Sequence, residues 1–462
     1  MAGAPTTFDA IIVGAGQAGP PLAGRLTAAG HTVAVIERKL VGGTCVNYGC
    51  IPTKTLVASA HTAHAARRGA EYGVSTGPVT VDMAKVKSRK DGIMLDDRHG
   101  LESWLDGMTG CTLIRGHARF EGPHTIRVDD QLLEADRIFL NVGGRATVPD
   151  IPGIDDVDYL TNVGILDLDV LPEHLVIIGG SYIGLEFAQM YRRFGARVSV
   201  VEKGPRLTAR EDEDVAAAVK EILEAEGIDI HVGATSMRIT KQDNNSGAFT
   251  LSPRVGAEPI AGTHLLVATG RRPNTDDLGL DAAGVETDAR GFVKTDDQLR
   301  TNVPHIWAMG DCNGKGAFTH TSYNDFEIVA ANLLDGDPRR VSDRLTTYAL
   351  YIDPPLGRAG MTADEVRASG RKALVGKRPM TRVGRAVEKG ETQGFMKVVV
   401  DAETQEILGA AVLGVGGDEV VQDILDVMTA KLPYTAISRT VHIHPTVSEL
   451  VPTMLQELTP LD

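Results

Sequence analysis

The sequence predicts an α/β protein with two Rossmann-like dinucleotide-binding domains followed by a C-terminal α+β domain, and three observations lead there. A strand, a glycine-rich turn, a helix, a second strand and an acid succeed one another twice, over residues 8–37 and 175–202. The last third of the chain turns to short alternating strands and intervening helices. With 462 residues, 51 Gly and 42% apolar side chains, the chain has ample core. That length suits about three domains.

The first repeat opens with residues 8–13, an apolar, β-branched run that reads as a buried strand. It runs into Gly14-Ala15-Gly16-Gln17-Ala18-Gly19, then a helical stretch over residues 20–29, then a strand over 32–36 that ends at Glu37. This is the context a dinucleotide fingerprint requires. Gly14 makes the turn, Gly16 lets a pyrophosphate approach the backbone at the helix N-terminus, and Gly19 lets helix and strand pack. Glu37, 23 residues after Gly14, is placed to hold ribose hydroxyls.

Next comes GGTCVNYGCIPTK, residues 42–54, with Cys45 and Cys50 five positions apart. In a regular helix five residues rise about 7.5 Å, against a Cα limit of roughly 7 Å for a disulfide. A bridge therefore needs distorted backbone, which Gly49 and Pro52 supply. A strained, accessible disulfide is the easily reduced, catalytic kind.

The second repeat has a strand over 175–178, the turn Gly179-Gly180-Ser181-Tyr182-Ile183-Gly184, a helix over 185–194 and a strand over 198–201 leading to Glu202. Glu202 again lies 23 residues after the first glycine. Ser181 stands where the middle glycine belongs, so its Cβ crowds the pyrophosphate or its hydroxyl hydrogen-bonds it. Two such sites imply two different cofactors.

Further along, a helix is expected over 322–334, a domain boundary at the polar break 335–338, strands over 396–400 and 407–414, and a helix over 419–430. Cys111 and Cys312 have no spaced partner and read as packing residues. His442 and His444 share a strand face, but without further spaced ligands no metal is expected. His61 and His64 read as surface residues, and the charge run 210–214 as a solvated helix start.

The net charge of -14 argues against nucleic-acid or anionic-membrane partners. No apolar run approaches the 18 or so residues of a membrane helix. The N-terminal residues have no basic region before the first strand, so a cytoplasmic location is expected. In a reducing compartment a CxxxxC pair is more often catalytic than a structural staple.

Together the two fingerprints and the cysteine pair make the chain resemble, over essentially its full length, the class I pyridine nucleotide-disulfide oxidoreductases. That family includes dihydrolipoamide dehydrogenase, glutathione reductase and mercuric reductase. The resemblance implies an FAD-binding domain of residues 1–149 and 271–338, an NAD(P)H-binding domain of 150–270 and a dimerisation domain of 339–462. Residues 268–274, ATGRRPN, resemble the crossover back to the FAD domain, and 301–311, TNVPHIWAMGD, the second FAD motif, whose Asp311 binds the ribityl chain. Gly43, Thr44, Gly143 and Gly270 join the implied cofactor contacts, with Gly179, Ser181, Gly184 and Glu202 on the nicotinamide side. Lys54 and Glu186 match a family pair near the flavin N5.

By the same resemblance, NAD(P)H reduces the flavin and the flavin reduces a Cys45–Cys50 disulfide. Cys45 is then the interchange thiol and Cys50 the charge-transfer thiolate. The C-terminal HPTxxE sequence enters the active site of the partner in a homodimer, with His444 as base and Glu449 orienting it. The implied enzyme passes electrons to a small-molecule disulfide or similar two-electron acceptor. Alternatives are a dihydrolipoamide dehydrogenase of a multienzyme complex and a mercuric reductase-like reductase of metals or reactive oxidants. The IPTKTL wording after Cys50 is similar to the mercuric reductase-like branch that includes reactive-chlorine-response flavoproteins. Ionic mercury itself is not expected, because no cysteine follows Cys312. A sensing or scaffolding flavoprotein is disfavoured by the complete set Cys45, Cys50, His444 and Glu449. Glu202 favours NADH over NADPH, since a carboxylate repels a 2′-phosphate, although Lys203 and Arg206 lie close by.

Overall fold

β-Branched alternation sets the first sheet. In the strand Thr6–Val13, burial begins at Ala10; Ile11 and Val13 face one apolar layer while Ala10 and Ile12 face another, the period of two that a strand imposes. This strand pairs in parallel with Val33–Glu37 on one side and Gln131–Leu140 on the other. Cys111–Arg115 extends the sheet beyond Val33–Glu37, and Ile306–Ala308 lies parallel beside Gln131–Leu140. An antiparallel flap, Ala118–Gly122 and Thr125–Val128, completes it. The helix Gly19–Ala28 carries prolines in its first turn, where no backbone donor is lost, and buries Leu22, Ala23 and Leu26.

The computed structural model describes residues 4–242 and 247–462. The chain packs as two units: one holds residues through Leu56, Ala84–Thr147 and Gly270–Arg344; the other holds Val57–Met83, Val148–Thr269 and Leu345–Asp462. Within the second unit, His174–Ile178 is fully buried and pairs in parallel with Arg197–Val201 and His264–Val267, with Asp229–His231 outside Arg197–Val201. Strand order and direction repeat those of the first unit. In both, the first strand has its successor on one side and a later strand on the other, so a crevice opens past its C-terminal end, where ligands of such sheets sit. The second unit also contains an antiparallel sheet in the order Thr347–Leu350, Leu356–Gly360, Ile407–Leu413, Phe395–Asp401, Ala373–Pro379 and Thr459–Pro460. The helix Gly417–Thr429 buries Val420, Val421, Ile424 and Met428 in its core.

The α/β class with a C-terminal antiparallel domain is as the sequence indicates, and most elements lie within one or two residues of expectation. The helix expected from 185 begins at Tyr182, because Ser181 is already extended and serves as its N-cap residue. The helix expected over 322–334 is Thr319–Ala330, closed by one wide turn, Ala331–Asp335.

One expectation is overturned. The run 210–214 does precede a helix, Glu213–Ala225, but Glu211 and Asp212 are buried. Arg358 Nη2 lies 2.5 Å from Glu211, and Lys397 Nζ lies 2.6 Å from both Asp212 and Asp214. Their cationic partners come from strands more than a hundred residues away, which local sequence does not display. No helix among the described residues is long and apolar enough to cross a membrane.

Candidate active site

The distortion demanded by the cysteine spacing is a break between two helices. Gly43–Tyr48 ends at Gly49, whose φ of -139° and ψ of -118° are not helical, and a new helix runs from Cys50 to Arg67. A Cβ on Gly49 would lie 2.9 Å from the Thr44 carbonyl oxygen, so the break is reserved for glycine. Pro52 sits in the first turn of the second helix, where it is tolerated. Asn47 fixes the loop by donating to the carbonyls of Val41 and Gly43 at 2.8 and 3.0 Å.

In this structure Cys45 and Cys50 are two thiols, the first half-buried and the second exposed. Cys50 Sγ lies 3.1 Å from the hydroxyl of Thr319. The hydrogen bond to Cys50, followed by burial, pushes the Cys45 thiol far up. Cys50 stands at the start of an 18-residue helix, a place where the helix dipole favours negative charge.

Around this pair the first unit gathers the residues of the first fingerprint. Gly14 has φ +106°, and a Cβ there would lie 2.3 Å from the Asn141 carbonyl oxygen. Gly43 has φ +60° and would place a Cβ 2.9 Å from Gly16 Cα, so these two glycines meet backbone to backbone. Gly19 opens the first helix. Glu37 accepts from the backbone N–H of Ala15 at 2.9 Å and of Lys39 at 2.8 Å. Arg271, beside Gly270, reaches Asp311 Oδ2 and Thr44 Oγ1, each at 3.3 Å, and donates to the Gly144 carbonyl at 2.5 Å. A Cβ on Gly143 or Gly270 would meet no atom within 4 Å. Lys54 is half-buried on the helix that Cys50 opens.

The second unit repeats the acid-to-turn geometry 165 positions later. Glu202 accepts from Gly180 N and from Gly204 N, both at 2.6 Å, as Glu37 does from Ala15 and Lys39. Gly179 has φ +118° and would place a Cβ 2.4 Å from the Ala268 carbonyl oxygen, while a Cβ on Gly184 would lie 2.2 Å from Gly179 O. Ser181 is exposed at the helix start. Glu186, buried, accepts from the Tyr351 N–H at 2.9 Å. Tyr182 and Tyr348 both donate to Glu211, and burial, then the Glu211 charge, pushes both phenols up.

Near the C-terminus, His444 Nδ1 lies 2.9 Å from Glu449 Oε2 and 3.1 Å from Oε1. The His444 side chain is 80% exposed while Glu449 is only 15% exposed. Val441 and Ile443 project beside it at 96% and 79% exposure.

The profile of pyridine nucleotide-disulphide oxidoreductases matches residues 8–325, and that of their dimerisation domain matches 346–455. The chain belongs to the pyridine nucleotide-disulphide oxidoreductase family. RclA of Escherichia coli (strain K12) is 36% identical over 96% of this chain and 97% of its own. The mercuric reductase of Streptomyces lividans is 33% identical over 99% and 98%, and a dihydrolipoyl dehydrogenase of Haloferax volcanii 32% over 96% and 95%. The solved structure of the HOCl-induced flavoprotein disulfide reductase RclA from Escherichia coli superposes with a TM-score of 0.89 at 35% identity, covering 97% of this chain and 99% of that one. Its Cu(II) complex gives the same TM-score. This oxidoreductase is thus an NAD(P)H-dependent flavoprotein disulfide oxidoreductase, of a family that binds FAD and a pyridine nucleotide.

The first unit fits FAD. Side-chain-free backbone at Gly14, Gly16 and Gly43, open space beyond Gly143 and Gly270, and the half-buried carboxylate of Asp311 form a cradle for a dinucleotide. Sequence reasoning named these residues but missed Arg271, although it stands within the quoted ATGRRPN stretch. It also missed Thr319, which no local pattern marks, since its importance comes from the fold bringing it to Cys50.

Proposed function

We propose that this oxidoreductase carries electrons from NADH through FAD to a Cys45–Cys50 disulfide and on to a small disulfide or a similar two-electron acceptor. The observation that carries this reading is the pair of thiols at a helix break, one exposed and sharing a hydroxyl partner, the other half-buried and holding its proton. Residues 1–149 and 271–338 are assigned to FAD, 150–270 to the nicotinamide nucleotide and 339–462 to dimerisation, in a cytoplasmic homodimer.

FAD, when bound, supplies the two-electron link between nicotinamide and disulfide. Gly14, Gly16, Gly19, Gly43, Thr44, Gly143 and Gly270 would shape its seat, Glu37 and Asp311 would hold its ribose and ribityl hydroxyls, and Lys54 would offer a cation to the reduced ring. Two electrons and one proton cleave the S–S bond into one thiolate and one thiol. The thiolate resides on Cys50 and the proton on Cys45.

His444 of the partner subunit, oriented by its Glu449, takes the Cys45 proton. Cys45 then attacks the acceptor disulfide, forming a mixed disulfide and expelling the first thiolate, which His444 protonates. Cys50 attacks the Cys45 sulfur, releasing the second thiolate and restoring the bond.

Gly179, Ser181 and Gly184 seat the nicotinamide nucleotide's pyrophosphate, and Glu202 faces the adenosine ribose. NADH preference has support in the structure: Arg206, the nearby guanidinium, donates to the carbonyls of Ala209 and Glu211 at 3.3 and 3.1 Å, within its own loop.

For the acceptor, RclA, described as an HOCl-induced disulfide reductase, outranks the alternatives in identity. A stand-alone reductase of oxidised thiols is therefore preferred over a dihydrolipoamide dehydrogenase. The Cu(II) complexes solved for RclA make cupric ion a second acceptor to assay. Anaerobic titration with NADH and then NADPH tests the scheme: a long-wavelength absorbance band and two new titratable thiols are expected after two electrons. Flavin bleaching with neither would refute it.

A further inference from the structure

Thr319 opens the helix Thr319–Ala330, as Cys50 opens its own helix. The start of the Thr319 helix is tied by another residue: Thr321 Oγ1 accepts from the Phe318 N–H at 3.1 Å and donates to the Phe318 carbonyl at 2.7 Å. The Thr319 hydroxyl is thereby left for the sulfurs. It lies 3.1 Å from Cys50 Sγ and also hydrogen-bonds Cys45, drawing that thiol down against the larger opposing effects.

The helix itself is anchored. Asp325, 2% exposed, accepts from Gly310 N and Asn313 Nδ2 at 2.8 Å and from Arg344 Nη1 at 2.8 Å. The Thr319 hydroxyl is thus held in place by structure on both sides. A hydroxyl has one proton to give and lone pairs to receive. Placed beside a sulfur that has lost its proton, it donates to the thiolate.

We propose that Thr319 stabilises the Cys50 thiolate of the reduced enzyme through its hydroxyl, which lies 3.1 Å from the sulfur. The inference rests on the redox role proposed for Cys45 and Cys50. A hydrogen bond to a charged acceptor predicts a change of about tenfold to a hundredfold in the ionisation constant, or about one to two pH units.

The test uses the FAD-loaded enzyme, reduced anaerobically with NADH and titrated with acid while the long-wavelength band is followed. A parallel pH profile of iodoacetamide alkylation reads the thiolate without the flavin. In Thr319→Val the midpoints of both are expected to rise by about one to two units, and in Thr319→Ser to remain at the wild-type value. Thr319→Ala carries the same expectation as valine and stands in if valine lowers FAD content. Midpoints unmoved in the valine or alanine variant, with the band intact, would overturn the role of Thr319 alone. A wild-type enzyme that gains neither band nor thiols would overturn the disulfide reading and this inference with it.

Discussion

Cys45 and Cys50 are the same residue type in one motif, yet the fold makes them unequal. Cys50 is exposed at a helix start beside a hydroxyl; Cys45 is half-buried and holds its proton. Cys45→Ser is therefore expected to abolish turnover with disulfides while leaving reduction of the flavin by NADH at its normal rate, and stopped-flow absorbance separates the two. Unchanged disulfide turnover would remove Cys45 from the route. The carboxylate at residue 202 invites a second substitution. Replacing Glu202 by Ala removes the repulsion toward a 2′-phosphate and both backbone hydrogen bonds that brace the turn. KM for NADH is expected to rise and that for NADPH to fall relative to it, a tenfold change in their ratio being about 1.4 kcal/mol. At this scale the sequence was most legible where function demands glycine, cysteine or an acid at fixed spacing. It was silent on Thr319, which meets Cys50 from 269 positions away, and on Arg271, which meets Thr44 from 227.

Elements were legible because their periodicity is local. The two βαβ turns, the helix Gly417–Thr429 and the strands on which it packs all follow from patterns a dozen residues long. The misjudged element is the start of Glu213–Ala225, where five successive charged residues, 210–214, resemble a solvated surface. Inside the fold, burial would raise the carboxyls of Asp212 and Asp214, but the hydrogen bonds and charges of Lys397 and Lys377 outweigh it and hold both below their ordinary values. A depressed carboxyl adds stability that is complete above its unfolded pKa and is lost as the pH falls through the folded one. Urea midpoints are accordingly expected to be flat near neutrality and to drop below about pH 4. Arg358 and Glu211 are more deeply placed, at 2% and 0% side-chain exposure. Removing one member leaves an uncompensated buried charge, so Arg358→Met is expected to cost about 3–5 kcal/mol, read as a lower urea midpoint at pH 7. A variant as stable as the wild type would mean that solvent reaches Glu211.

At the scale of the molecule, the HPTxxE segment is where the proposed pairing with a second copy is put to the test. The His444 imidazole lies 2.9 Å from the Glu449 carboxylate, yet it is 80% exposed and flanked by the exposed apolar side chains Val441 and Ile443. Apolar groups displayed together mark a surface that another protein covers, and the match to the family's dimerisation domain ends just beyond it, at residue 455. The sequence could name His444 and Glu449 through resemblance but could not show what the exposed segment faces. A mixing experiment decides the matter. Cys45→Ser and His444→Ala homodimers are each expected to be nearly inactive. After exchange of subunits in equal amounts, half of the dimers carry one of each chain. If a site combines the cysteines of one chain with the histidine of the other, every mixed dimer has one intact site, and about a quarter of wild-type activity returns. If both belong to the same chain, each site in a mixed dimer keeps one lesion and nothing returns. The exchange itself is followed by mass spectrometry of the intact dimers, so that silence in the assay reports on the site and not on failed mixing.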